Sequence, residues 1–260
     1  MDKYGKEWSR EELILALHAY CQIPFAKTKA SNPDVIALAD LIGRTPSSAA
    51  RKLGNFGAFD PTLAQKGISG LKHVAKADKE VWNEFYGNWD SLVVESERVR
   101  SKLGKSIPPQ KASNAFRLPE GATEREATAK QRVYQNFFRR SVLASYDSTC
   151  CNCQCDLVFL LVASHIVPWP EDEKNRLNPE NGLCLCLLYD GVFDKGLLTV
   201  TDTLQVKIAR WVRSSRSSFV QQAIVKYDSY PIFKPRRFLP KREFLLWHGK
   251  NVFKKDFYKN

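Results

Sequence analysis

Apolar residues recur at helical spacing through the first hundred positions, in short runs that each open on a start signal. Ser9 followed by Glu12 makes a capping box ahead of Leu13-Ile14-Leu15-Ala16-Leu17. Asn32-Pro33 places a cap and a first-turn proline ahead of Ile36, Leu38, Leu41 and Ile42, and Gly43 stops that helix. Thr45-Pro46 opens a third helix through Ala49, Ala50 and Leu53, and Asp60-Pro61 a fourth. Farther on, Trp82, Phe85, Tyr86 and Trp89 fall at the spacing of core packing rather than of a stacking platform.

The pattern then breaks. Gly104, Pro108-Pro109, Pro119 and Gly121 interrupt regular structure, so residues 101–122 read as a linker between a helical domain (1–100) and a second domain (123–260). Thr123 with Glu126 predicts the cap of a further helix reaching about Tyr146 and carrying Arg139-Arg140. Next the period shortens. Residues 157–163 are apolar and β-prone and run into Ser164-His165-Ile166; a polar loop rich in proline and asparagine follows, from 168 to 182. A second apolar run, 183–188, leads into Tyr189-Asp190-Gly191-Val192-Phe193-Asp194, which reads as a short helix. Residues 197–200 and 204–208 flank Asp202-Thr203 as a hairpin. The tail from 234 interleaves basic residues with Phe238, Phe244, Trp247 and Phe253, which predicts aromatics packed inward under a basic outer face.

Composition sharpens this. With 43% hydrophobic and 12% aromatic residues the chain can bury a core, which excludes disorder by composition. A net charge of +12 and a pI near 9.4 favour a polyanionic partner. No apolar run is long enough to span a bilayer and no signal-peptide pattern opens the chain, so membrane insertion is not expected. Seven cysteines, four of them crowded at 150, 151, 153 and 155, make a poor disulfide framework and point to a reducing, cytoplasmic setting.

Residues 38–53 look like two helices joined by a tight glycine turn, the layout of a helix-turn-helix, with 45–55 in the recognition-helix place. The expected DNA contacts are Arg44, Ser47, Ser48, Arg51 and Lys52, together with Arg139 and Arg140; the lysine and arginines suit phosphate better than bases. A helical bundle with a solvated polar face is the plainer alternative.

The strings Ala163-Ser164-His165-Ile166-Val167-Pro168-Trp169, Arg176-Leu177-Asn178-Pro179-Glu180-Asn181-Gly182-Leu183-Cys184-Leu185 and Phe193-Asp194-Lys195-Gly196-Leu197 resemble the HNH endonuclease family, and more narrowly its restriction-type members. The resemblance implies a ββα-metal unit that hydrolyses DNA phosphodiesters with one divalent cation. It implies His165 as general base, Asn181 as the brace of the loop that aims it, and the third position at Tyr189, where the family carries a metal-binding histidine. An imidazole whose pKa lies near neutrality suits the deprotonation of water, and a cation suits developing negative charge.

The expected metal-ligand set for Mg²⁺ or Mn²⁺ is Ser164, Tyr189, Asp190 and Asp194. Many HNH proteins also hold a structural zinc on two Cys-x-x-Cys pairs. Here Cys150 and Cys153 form one pair, while Cys184 and Cys186 are spaced Cys-x-Cys on an apolar strand, where period 2 puts both on one face. Buried cysteines acting as small hydrophobes are the preferred reading over zinc. The expected protein is therefore α+β, a helical DNA-binding domain with a C-terminal ββα-metal nuclease acting on double-stranded DNA. A homodimer would let two sites cut both strands. The alternative is a DNA-binding protein whose HNH unit, with Tyr189 in place of histidine, does not cut.

Overall fold

The computed structural model describes residues 5–68, 75–104 and 122–254, with backbone alone over 122–130. The expected linker lies outside these residues beyond 104, as does the cap expected from Thr123 and Glu126. The chain divides into two compact units, residues 1–140 and 141–260.

In the first unit the start signals act as written. Helix α1 (Arg10–Gln22) has the reciprocal capping box: Glu12 N–H donates to Ser9 Oγ, and Ser9 N–H to Glu12 Oε2. Helices α2 (Pro33–Ile42), α3 (Pro46–Phe56) and α4 (Pro61–Gln65) are capped by Asn32, Thr45 and Asp60, each followed by proline at the first helical position. Gly43 ends α2 at φ 67°, a left-handed conformation that glycine adopts without a Cβ clash. Helices α5 (Lys76–Phe85) and α6 (Trp89–Lys102) follow.

Helix α1 is the centre of this unit, since Leu13, Ile14, Leu15, Ala16 and Leu17 are all fully buried. Tyr20 extends the core, with its ring 5.8 Å from Trp82 and 6.0 Å from Phe56 and its hydroxyl donating to Asp60 at 2.9 Å. The expected aromatic core holds: Trp82, Phe85 and Trp89 are buried, and Tyr86 stacks on Trp82 at 4.7 Å.

Helix α7 spans Ala122–Ser145, and the division between the two units falls after Arg140. Strands β1 (Leu161–His165) and β2 (Gly182–Cys186) pair antiparallel in a register from Leu161↔Cys186 to His165↔Gly182. Helix α8 (Leu187–Asp194) starts at once after β2. The expected first strand is shorter than its apolar run: residues 158–160 form a 3-10 turn, and pairing begins only at Leu161, opposite the last residue of β2. The expected hairpin forms from β3 (Leu198–Val200) and β4 (Val206–Ile208). Short helices α9 (Arg210–Arg213) and α10 (Ser218–Ala223) precede α11 (Arg242–Asn251). The tail's aromatics do pack inward at Phe238 and Phe244, but Arg237 is buried as well and leaves the expected basic face.

Two contacts seat α8 against the tail. Gly196, just past its end at φ 68°, has no room for a side chain, because a Cβ there would meet the Val252 carbonyl oxygen at 2.1 Å. The His248 ring of α11 stacks on Phe193 at 3.7 Å and 8°, with Nδ1 hydrogen-bonded to Thr199 Oγ1 at 2.8 Å. Burial pulls the His248 ring down to about 4. In the unfolded chain it protonates near 6.5. Between those values the unfolded chain binds more protons, so stability falls as pH is lowered through this window and is unaffected by His248 above it. The expected contribution is about 3 kcal/mol. Urea unfolding at about pH 7 and about pH 4.5 checks it: His248→Phe should lose stability less steeply on acidification than the parent chain, and equal slopes would refute the assignment.

Candidate active site

His165 is the last residue of β1, and Asn181 immediately precedes its partner Gly182, so the hairpin alone brings the two together. As the chain leaves β1, Ile166 N–H still donates to the Asn181 carbonyl at 2.9 Å. One residue on, the ladder is continued by a side chain. Asn181 Oδ1 accepts from Val167 N–H at 2.8 Å, and Asn181 Nδ2 donates to the Val167 carbonyl at 3.1 Å and to that of Asn175 at 3.4 Å. Within the loop, Asn178 Nδ2 donates to Asn175 Oδ1 at 3.0 Å while Asn178 Oδ1 accepts from Glu180 N–H. Three asparagines thus supply the hydrogen bonds that a loop at a strand end otherwise lacks.

This loop also sets the state of the imidazole. His165 Nε2 lies 2.9 Å from the Arg176 carbonyl oxygen. A carbonyl only accepts, so Nε2 carries the proton and the basic lone pair of the neutral ring is on Nδ1. Burial lowers the ring below the ordinary imidazole value, with the Arg176 carbonyl opposing, so it stays neutral at pH 7. The Trp169 ring meets His165 edge-on at 5.7 Å, and the Arg176 guanidinium lies 5.5 Å from the Trp169 ring centre while donating to the Trp169 carbonyl. Neither Trp169 nor the Arg176 carbonyl was expected from the residues, because a backbone acceptor has no sequence signature.

The expected third position, Tyr189, lies on helix α8. The Tyr189 side chain is buried, its hydroxyl donates to the Ala223 carbonyl, and its ring packs edge-on against Tyr227 at 5.7 Å. Burial drives the phenol far above its ordinary value, which opposes a role as an anionic ligand. The next residue, about 100° around the helix, is the one beside β1. Burial raises the Asp190 carboxyl, and the Ser164 hydroxyl pulls it the other way, although the two are outside hydrogen-bonding geometry. Ser164 Oγ itself is buried with no hydrogen-bond partner. One turn on, Asp194 is raised by burial and then by the Asp190 charge, with Lys195 opposing. Ser164, Asp190 and Asp194 are thereby gathered, and Tyr189 is not among them.

Of the expected zinc ligands, the sulfurs of Cys150, Cys153 and Cys186 converge within 4.8 Å of one another. Cys184 is not in that group; it is buried, and its carbonyl accepts from Cys151 N–H at 2.7 Å. Two of the expected DNA contacts, Arg44 and Lys52, have acidic partners within the first unit. Arg44 donates to the carbonyls of Lys6 and Glu7 and to Glu12 Oε2, with its side chain only 5% exposed. Lys52 is bonded to both Asp78 oxygens at 2.7 and 3.0 Å and is 9% exposed. Both cations lie over the Trp8 ring, at 4.5 and 5.1 Å. Arg140 pairs with Asp34 at 2.9 Å and Arg139 is half-buried, whereas Ser47 and Arg51 are exposed and Ser48 is half-buried.

Two antiparallel strands, a helix joined directly to the second, and a strand-end histidine braced by an asparagine define a ββα nuclease-type unit. Residues 150–201 match the family model described as HNH endonuclease, so this segment of the chain carries an HNH domain. No curated protein matches the chain.

Removing the Tyr189 hydroxyl leaves the Ala223 carbonyl without its donor, so Tyr189→Phe should cost about 1–2 kcal/mol in chemical unfolding. Its affinity for Mn²⁺, measured by titration calorimetry, should not change. Weaker Mn²⁺ binding at unchanged stability would return Tyr189 to the ligand set.

Proposed function

We propose that this chain is a restriction-type endonuclease that hydrolyses phosphodiesters of double-stranded DNA with a divalent metal, with His165 as its general base. The observation that carries the reading is the Nε2–Arg176 hydrogen bond, which leaves Nδ1 as the nitrogen able to take a proton from water. Asn181 holds the loop that supplies the Arg176 carbonyl, so it acts on the ring through the backbone.

The donors around Ser164, the residue before His165, fit a hard cation: two carboxylates on one helix face and a buried hydroxyl, all oxygen. Asp190 and Asp194, with Ser164, would hold Mg²⁺ or Mn²⁺, which when bound stabilises the charge developing on the phosphate oxygens. Both carboxyls are raised by burial, and Asp194 also by the Asp190 charge, the condition that a bound cation relieves. The Trp169 ring meets His165 edge-on, and burial of the imidazole favours its neutral form.

A second reading is a DNA-binding protein with a non-cleaving HNH unit. It draws on the absence of an imidazole from α8, where Tyr189 is committed to Ala223. Supercoiled plasmid with Mg²⁺ or Mn²⁺ separates the two. The nuclease reading expects nicked or linear product, reduced by about 10²-fold or more in His165→Ala. Shifted plasmid mobility with no cut under any divalent metal would support the second reading instead.

On the first unit, Ser47, Ser48 and Arg51 of α3 are the proposed DNA contacts that remain, in the recognition place of a helix-turn-helix. Arg51→Ala should leave stability unchanged and reduce the salt dependence of DNA binding by about one phosphate contact. By contrast, Lys52→Met should destabilise by about 3–5 kcal/mol, because Asp78 is left charged and buried. Fluorescence anisotropy across salt, with urea unfolding of each variant, reads both; the reverse pattern would place DNA contact at Lys52.

A further inference from the structure

We propose that the excursion from Ala209 to Asp228, between β4 and the tail, is a second DNA-contact surface, on which Arg210 and Arg216 meet phosphates and Phe219 lies against the sugars of the bound duplex. Its partner follows from the nuclease reading, and it belongs to the second unit, whereas α3 belongs to the first.

Charge sets this stretch apart. From Thr203 to Tyr227 the chain carries Lys207, Arg210, Arg213, Arg216 and Lys226, and no Asp or Glu. Acids make up 28 of the 260 residues, roughly one in nine, so their absence from 25 consecutive positions leaves one sign of charge unopposed. Asp228, the next acid, is committed within the excursion: Oδ1 accepts from Ile208 N–H at 2.9 Å and Oδ2 from Arg213 at 3.0 Å. Arg210 and Arg216 are exposed and pair with no carboxylate among the described residues.

The backbone beneath these cations is held in place. Val206 N–H donates to the Tyr230 carbonyl and Ser229 N–H to the Val206 carbonyl, both at 2.8 Å, so the excursion leaves and rejoins the same strand. Little apolar core supports what lies between, where Ala209, Val212 and Ile224 are buried. Polar side chains brace it instead. Gln221 Nε2 donates to the carbonyls of Arg213 at 3.0 Å and Ser215 at 2.6 Å, and Ser214 Oγ donates to the Trp211 carbonyl at 2.8 Å. Cations on a braced backbone lose less freedom on binding, and the guanidinium fork matches phosphate oxygens. Phe219, 61% exposed, sets an apolar ring among them. That mixture suits nucleic acid, where apolar sugar and base surface lies between phosphates.

The excursion is also fastened to the helix of the carboxylates. The Ala223 carbonyl accepts from the Tyr189 hydroxyl of α8, and the Tyr227 ring meets that of Tyr189 edge-on at 5.7 Å. Asp190 is the next residue of the same helix. A duplex gripped here is therefore held to the nuclease unit itself.

The test uses the full chain carrying His165→Ala and a fluorescein-labelled duplex, with anisotropy read across salt. Replacing both Arg210→Ala and Arg216→Ala should reduce the slope of log Kd against log salt by about 1.8, or about 0.9 per phosphate, and weaken binding about tenfold at ~0.15 M salt. Urea unfolding should not change, and Arg210→Lys with Arg216→Lys should keep the slope. Phe219→Ala should weaken binding at unchanged slope, since it neutralises no phosphate. A double-alanine slope equal to the parent's would overturn this surface and leave the nuclease reading standing. A parent chain that binds no duplex at any salt would overturn both.

Discussion

The site depends on one carboxamide. Past His165 the chain leaves the two-stranded ladder, and the next backbone groups need partners in a buried setting. Asn181 meets both needs at once, accepting from Val167 N–H and donating to its carbonyl. Leaving either group bare would cost about 1–3 kcal/mol. The same side chain reaches the Asn175 carbonyl, one residue from the carbonyl that holds Nε2 of His165. Loop conformation and imidazole tautomer are therefore one constraint. A residue unable both to donate and to accept at this place would release the loop and with it the orientation of the ring.

Helix α8 does two jobs because its faces diverge. Phe193 turns inward to stack on His248 and Tyr189 turns inward to Ala223 and Tyr227, so one side anchors the helix. Asp190 and Asp194, four residues apart, share another side, and the Asp190 charge raises the proton affinity of Asp194. Mutual repulsion between carboxylates is unfavourable in a fold that has no use for it. Here it is tolerated beside Ser164, which precedes the histidine that the loop holds, in the stretch that matches the HNH endonuclease model.

Local signals were legible in the sequence and long-range ones were not. The caps at Ser9, Asn32, Thr45 and Asp60 act within three residues, so their side chains could be read directly. The strand–loop–strand–helix order around His165 and Asn181 was legible for the same reason. Spacing does not say which side of a helix faces the hairpin, so it could not place Tyr189 against Ala223 or Asp190 beside Ser164. Cys184 was grouped with Cys186 on strand periodicity, yet the chain turns from strand to helix at Cys186, and only Cys186 meets Cys150 and Cys153. Arg44 and Lys52 looked like surface cations, since their partners Glu12 and Asp78 lie 32 and 26 positions away.

Those two pairs change what the first unit is built from. Arg44 sits in the turn between α2 and α3 and Lys52 midway along α3, and both bear on Trp8. A buried ion pair adds little net stability, since desolvation offsets most of its Coulomb gain, but breaking one strands a charge. Such pairs therefore select an arrangement more than they strengthen it. Arg44 ties the turn ahead of α3 to Glu12 of α1, and Lys52 ties α3 to Asp78 of α5. The face of α3 left to solvent, with Ser47 and Arg51 on it, is then presented in one fixed orientation. A helix that has already committed its lysine inward can meet a phosphate backbone only with that remaining face.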